Sequence, residues 1–285
     1  MAVANPDLKY DFMPWARRGL ARAHTHAQLA MDGVSALPNV TIGLKLKGTG
    51  GSNMEDTPTV DLKLLGPGDV IGIDPRVIVR VEPRANNHDF EPNYLAAIEF
   101  DTPDFPWLFT PAKADANDRL APWLALVVFS RDEVADPVLR PGRVLPSTLL
   151  PTNTVLPDLS ESWMWAHAQV VRYAASQQVH DMLQNAPSKN LSRLVCPRRL
   201  QANKSYIACL VPAFKPGLDA ALGKPLDTNA TLTPAWSGSQ AQTDFELACY
   251  YHWTFSTGPA GDFETLARRL KACLLYTSDA ADELR

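Results

Sequence analysis

Residues 245–256 restrict the fold more than any other stretch of the chain. Phe245, Leu247, Cys249, Tyr251, Trp253 and Phe255 fall on one parity, and Glu246, Ala248, Tyr250, His252 and Thr254 on the other. Successive side chains of an extended backbone point to opposite faces, so this period of two predicts one long strand with a face in a core. The pattern recurs: Val40, Ile42, Leu44 and Leu46 alternate with Thr41, Gly43, Lys45 and Lys47, and Val60, Leu62 and Leu64 with Thr59, Asp61 and Lys63. The Gly-rich connection 48–58 makes these an antiparallel pair joined by a long loop. Residues 123–129 and 206–211 are apolar on both parities, and 123–129 is expected to be a central strand covered on both faces. Residues 77–81, 95–100 and 107–110 read as short strands between proline-rich turns.

Four stretches carry helical signals. Pro14 stands at a first-turn position before the Ala-, Leu- and Arg-rich residues 15–30. Asp158 with Glu161 three residues on marks a helix start running through Trp163 and Trp165. Residues 175–184 and 262–270 complete the set. The predicted class is α+β, predominantly antiparallel β with a few peripheral helices, sandwich-like or barrel-like. Four regions are expected: an N-terminal helix plus β-rich region at 1–135, a proline-rich linker or crossing segment at 136–157, a second α+β region at 158–272, and the tail 273–285.

That tail stands apart. Residues 273–283 resemble the translation of a transposon-end adapter used in preparing sequencing libraries. The expectation is a metagenomic N-terminal fragment whose natural sequence runs to about Ala272. Without residues 273–285 the chain has 26 Lys and Arg against 28 Asp and Glu, a formal charge of −2 rather than the −4 of all 285 residues. Near-neutral charge gives no electrostatic case for nucleic acid or an anionic membrane. No run of apolar residues has the length of a bilayer span, and the arginines at 17, 18 and 22 precede no apolar signal-peptide region. A cytoplasmic protein is expected. Cys196, Cys209 and Cys249 sit in apolar surroundings without metal-ligand spacing, which suits buried reduced thiols.

Chemistry is sparse. On the expected helix, His24 and His26 lie about 200° apart and do not share a metal; no metal site and no cofactor is expected. Gly66, Gly68 and Gly72 lack the Lys-Ser/Thr and following helix of a phosphate loop. Glu99, Asp101 and Asp104 stand just before Phe105, Pro106 and Trp107. Paired carboxylates beside an aromatic wall suit glycoside hydrolysis, with one acid of raised pKa and one base or nucleophile; the same residues suit turn capping. These three are the weak catalytic candidates. Proline precedes Trp15, Trp107 and Trp123, and Trp163 and Trp165 form a pair. Trp107, Trp123, Trp163 and Trp165 are candidate binding residues, for a sugar platform or an assembly interface, set against a role as core anchors.

Several phrases stand out together: Gly66-Pro67-Gly68-Asp69-Val70, Asp89-Phe90-Glu91-Pro92-Asn93-Tyr94 leading to Ile98-Glu99-Phe100-Asp101, Phe105-Pro106-Trp107-Leu108-Phe109-Thr110-Pro111, Ser162-Trp163-Met164-Trp165-Ala166-His167 and Cys196-Pro197-Arg198-Arg199-Leu200. With Pro122-Trp123-Leu124 they resemble a group of longer bacterial proteins of uncharacterised function, over about residues 11–270. The resemblance implies no activity, cofactor or site. The expected function is a non-catalytic structural or assembly protein of bacterial or phage-like origin, with protein partners or self-assembly. The alternative is a carbohydrate-active hydrolase or carbohydrate-binding module using the acidic and aromatic residues.

Overall fold

The segments that are apolar on both parities build the central sheet. The computed structural model describes residues 8–19, 39–43, 59–174, 176–225 and 231–259. Its strands are β1 (Lys9–Met13), β2 (Asn39–Gly43), β3 (Thr59–Lys63), β4 (Ile78–Glu82), β5 (Ala97–Phe100), β6 (Leu124–Ser130), β7 (Ser147–Leu150), β8 (Ala166–Arg172), β9 (Leu191–Val195), β10 (Ser205–Pro212), β11 (Phe245–Ala248) and β12 (Tyr251–Ser256). Among the described residues two short helices, α1 (Val179–Asn185) and α2 (Lys215–Ala221), and several 3-10 turns connect them. The three-stranded sheet has the order β12-β10-β6, antiparallel throughout. Every residue of β6 is buried, and every residue of β10 except Ser205. Both faces of β6 are covered, as expected, but β10 holds the middle of the sheet.

The five-stranded sheet, β1-β8-β9-β5-β4, is also antiparallel and draws strands from both sides of residues 136–157. Ile98, Phe100, Ala166, Ala168, Val170 and Leu194 face inward and are buried. The opposite face carries His167, Arg193, Glu99 and Arg80, which are cross-strand neighbours in that order. Alternation of apolar and polar residues thus marks which face packs on the core. Two-stranded pairs β11-β7 and β2-β3 complete the sheets. Val40 lies opposite Leu62, the antiparallel pairing that their alternation predicts. The architecture is α+β and mostly antiparallel, with open, sandwich-like sheets and no closed barrel among the described residues.

The long alternation does not make one strand. It breaks at Cys249 and Tyr250, so β11 pairs with β7 while β12 pairs with β10. At the break the Cys249 N–H donates to Pro146 O and the Tyr250 N–H to Leu210 O, each at 2.8 Å. Both side chains are buried, and the Tyr250 hydroxyl donates to Val70 O at 3.2 Å. A chain that changes sheets must bury both parities at the corner, which a strict period of two does not reveal.

Other differences are local. Residues 15–18 are irregular rather than helical, and 107–110 are not a strand because a 3-10 turn, Phe105–Trp107, precedes them. The helix expected at 175–184 is α1, and the one starting after Asp158 is the 3-10 turn Leu159–Trp165, whose Asp158 carboxylate accepts from the Ser160 N–H at 3.0 Å. The expectations for 20–38, including His24 and His26, for the 48–58 loop, for the 262–270 helix and for the tail lie outside the described residues.

The sheet edges are treated differently. Residues 86–90 strap the outer edge of β12 through Asn86 N–H to Thr254 O, Phe90 N–H to Ser256 O, Ser256 N–H to Asn87 O and Gly258 N–H to Phe90 O, at 2.7–3.1 Å. At the β4 edge a register shift between Ile78 and Arg80 interrupts the ladder, and Arg80 is paired with Glu82 at 2.6 Å. Bulges and charges are common ways to blunt an exposed edge. Among the described residues β1 has neither strap nor bulge: its five residues pair continuously with β8.

Candidate functional site

Two of the four tryptophans singled out from sequence are wholly inside. Trp107 and Trp123 have no exposure, and their indole N–H groups donate to Leu120 O at 3.0 Å and Phe105 O at 2.8 Å. Trp123 is surrounded edge-on by Phe105, Phe109 and Tyr250 at ring distances of 4.9–5.9 Å. A buried indole satisfied by a backbone carbonyl anchors packing and presents no ring to a ligand. Trp165 is partly buried and packs on the core. Trp163 is partly exposed, and the Arg119 guanidinium lies over its ring at 4.3 Å.

The acidic candidates separate. Glu99 points outward from β5 and is held by Arg193, whose other nitrogen is 3.1 Å from His167 Nε2. Arginine only donates, so Nε2 accepts and the imidazole is neutral with its proton on Nδ1. Burial, reinforced by the Arg193 charge, pushes the His167 pKa below its usual 6.5. Asp101 is exposed at the end of β5. Asp104 is buried and ion-paired with Arg18 at 2.8 Å. Glu99, Asp101 and Asp104 therefore stand in three different settings: paired to Arg193, exposed, and buried against Arg18.

Trp163 lines a groove of about 400 Å³ with Asp115, Arg119, Asp158 and Trp236. The 234–238 turn divides it from a second hollow of about 580 Å³, bounded by Arg143, Lys215, Asp219, Phe245 and Glu246. The Trp236 indole donates to Pro157 O at 2.8 Å, fixing that dividing turn. The charged groups here are committed to structure. Asp115 accepts from the Asn117 and Arg119 N–H groups at 2.9 Å, and Asp158 caps its turn. Glu246 is gripped by Arg143 and accepts from Ser147 Oγ at 2.6 Å, and Asp219 by Lys215 and Lys224 at 2.5 and 2.8 Å. The hydrogen bond from Arg143 leads the causes holding Glu246 below the usual carboxylate range.

A third cavity, of about 510 Å³, is lined by Trp15, Arg17, Lys113, Asp118 and Leu183. Arg17 is buried, and its guanidinium donates to the carbonyls of Thr110 and Ala112. Burial lowers its pKa to about 10, which still leaves it charged at neutral pH. Reading 15–30 as a helix hid this residue, because a helix would have placed Arg17 on a surface.

No family model, curated protein or solved structure matches this chain. The geometry alone carries the functional argument. Among the described residues no three His, Cys, Asp or Glu side chains gather as a metal site. Among the described residues, the carboxyls whose pKa moves (Asp11, Asp74, Glu133, Asp219 and Glu246) all move down. A glycoside-cleaving acid needs the opposite shift, produced by an apolar pocket or a neighbouring carboxylate. The groove offers instead a half-exposed aromatic ring, a stacked guanidinium and hydrogen-bonding turns. Among the described residues no helix is long and apolar enough to cross a membrane.

Proposed function

We propose that this chain is a non-catalytic structural or assembly protein of bacterial or phage-like origin that works through protein–protein contact. The supporting observation is the surface of residues 138–155, where Val138, Leu139, Val144, Leu149 and Val155 are all exposed. Pro137, Pro141, Pro146, Pro151 and Pro157 punctuate this segment. Large apolar side chains gathered on one surface segment favour burial against a partner. Prolines limit the freedom such a segment loses on binding, so less of the contact energy is spent on ordering it. Cys196, Cys209 and Cys249 are free and buried, which supports a reducing compartment such as the cytoplasm.

Cells expressing the full-length protein, fractionated on a density gradient, test the assignment. Wild type is expected in particle-sized fractions, and Leu139→Lys with Val155→Lys is expected to deplete it there by about tenfold, the effect of losing two apolar contacts. Equal sedimentation of the double variant, or a wild type that runs only as free monomer, overturns it.

Trp163 supports a second reading, a carbohydrate-binding module, because its ring borders the 400 Å³ groove and is partly exposed. Affinity electrophoresis through gels containing neutral polysaccharides separates the two. Retardation that Trp163→Ala abolishes favours sugar binding; unretarded wild type removes it.

A further inference from the structure

β1 is a straight edge whose five residues are all in register with β8, and among the described residues no strand lies on its other side. Its sequence, with the residue before it, reads Leu8-Lys9-Tyr10-Asp11-Phe12. The pattern is apolar, cation, aromatic, anion, apolar, so reversing it gives the same types with the charges exchanged. Leu8, Tyr10 and Phe12 are 43%, 55% and 60% exposed and share one face. On the other face Lys9 lies opposite Arg172 of β8, a like-charged neighbour, while Asp11 is bound by Arg172 at 2.5 and 2.9 Å.

We infer that β1 pairs antiparallel with β1 of a second copy of this chain, about a two-fold axis through Tyr10. Residues opposite one another in antiparallel strands lie on the same face. This register places Leu8 against Phe12 of the second copy, Tyr10 against Tyr10, and Lys9 against Asp11. Each Lys9 then gains the carboxylate that its own sheet places instead beside Arg172. The contact is isologous and closes as a pair. It joins two five-stranded sheets into one continuous sheet and removes the edge that neither strap nor bulge protects. A register centred on Asp11 would oppose two carboxylates and is disfavoured. One five-residue edge buries less than the roughly 1,200 Å² of a standard interface. The pair is therefore weak when isolated and strengthens where several copies are held together. The inference rests on the assembly function proposed above and supplies its partner.

Tyr10→Cys, in a Cys273→Ser background and oxidised with copper–phenanthroline in air, is expected to give a disulfide-linked dimer. Opposed residues of an antiparallel pair have Cα atoms about 4.5–5.5 Å apart, within disulfide range. Phe12→Cys is the control: its two copies would lie about 14 Å apart along the strands and should not cross-link. Cys196, Cys209 and Cys249 are buried and do not compete. Sedimentation equilibrium supplies an independent reading. Lys9→Asp alone and Asp11→Lys alone should each weaken self-association by at least about tenfold, and an equimolar mixture should restore it. Restoration by mixing cannot come from folding defects in either variant. Cross-linking of Phe12→Cys equal to that of Tyr10→Cys, or a mixture no tighter than its parts, overturns the pairing. If the pairing fails while Leu139→Lys with Val155→Lys still leaves the particle fractions, the assembly function stands without this contact. If both fail, so does the assembly function.

Discussion

His167, on the outer face of the five-stranded sheet, couples folding to pH. Its Nε2 accepts from Arg193, and burial together with that cation lowers its folded pKa below 6.5. The unfolded chain therefore binds the proton first as pH falls. The stability His167 contributes is complete above pH 6.5 and is lost as pH drops through the folded value. Urea midpoints measured against pH should decline below 6.5 in wild type and decline less in His167→Asn; equal slopes would refute the effect. The neighbouring Glu99 was legible in sequence only as a carboxylate near aromatics. Its partner Arg193 is 94 residues away, and no local pattern announces such a pairing. Trp107 and Trp123 carried a better signal. Each follows a proline at the entry to an apolar run, and each became a core anchor.

At the scale of the element, alternation gave the β2–β3 pair, runs apolar on both parities gave β6 and β10, and short segments between proline-rich turns gave β4 and β5, because each belongs to one sheet along its whole length. Alternation missed the corner at Cys249 and Tyr250, where one alternating run serves two sheets. The β7–β11 pair past that corner is tied by a clasp: Glu246 on β11 accepts from Ser147 on β7 and from Arg143 before it. Glu246 has a depressed folded pKa, so its contribution is present above the unfolded value of 4.5 and disappears as pH falls through the folded one. Glu246→Gln is expected to cost about 1 kcal/mol, the loss of a charge-assisted pair discounted for the partly exposed Arg143. It should flatten the acid limb of the stability curve below 4.5. Hydrogen exchange should then quicken at β11 amides and stay unchanged at β10, which is paired on both sides. Uniform quickening across both strands would show that the clasp holds no local unit.

Across the whole molecule the class was readable from sequence, whereas the arrangement was not. Antiparallel strands with polar outer faces announce themselves by alternation, but the order β1-β8-β9-β5-β4 brings together residues separated by more than a hundred positions. β1 itself was overlooked, being five residues long beside a stretch that looked helical. Its exposure and the exposed apolar side chains of 138–155 carry the two proposed contacts, which the cross-linking and particle-fraction experiments address in turn. The strap of residues 86–90 has a consequence for how the sequence can drift. Its hold on β12 is written in main-chain atoms. Side-chain exchange is still free only at exposed positions such as His88: Phe90 is buried against Phe255, Asn86 holds a φ of 61° that asparagine tolerates, and proline is forbidden at both, whose N–H groups donate. Among relatives, that segment should hold constant in length, keep a large apolar residue at 90 and keep asparagine, aspartate or glycine at 86.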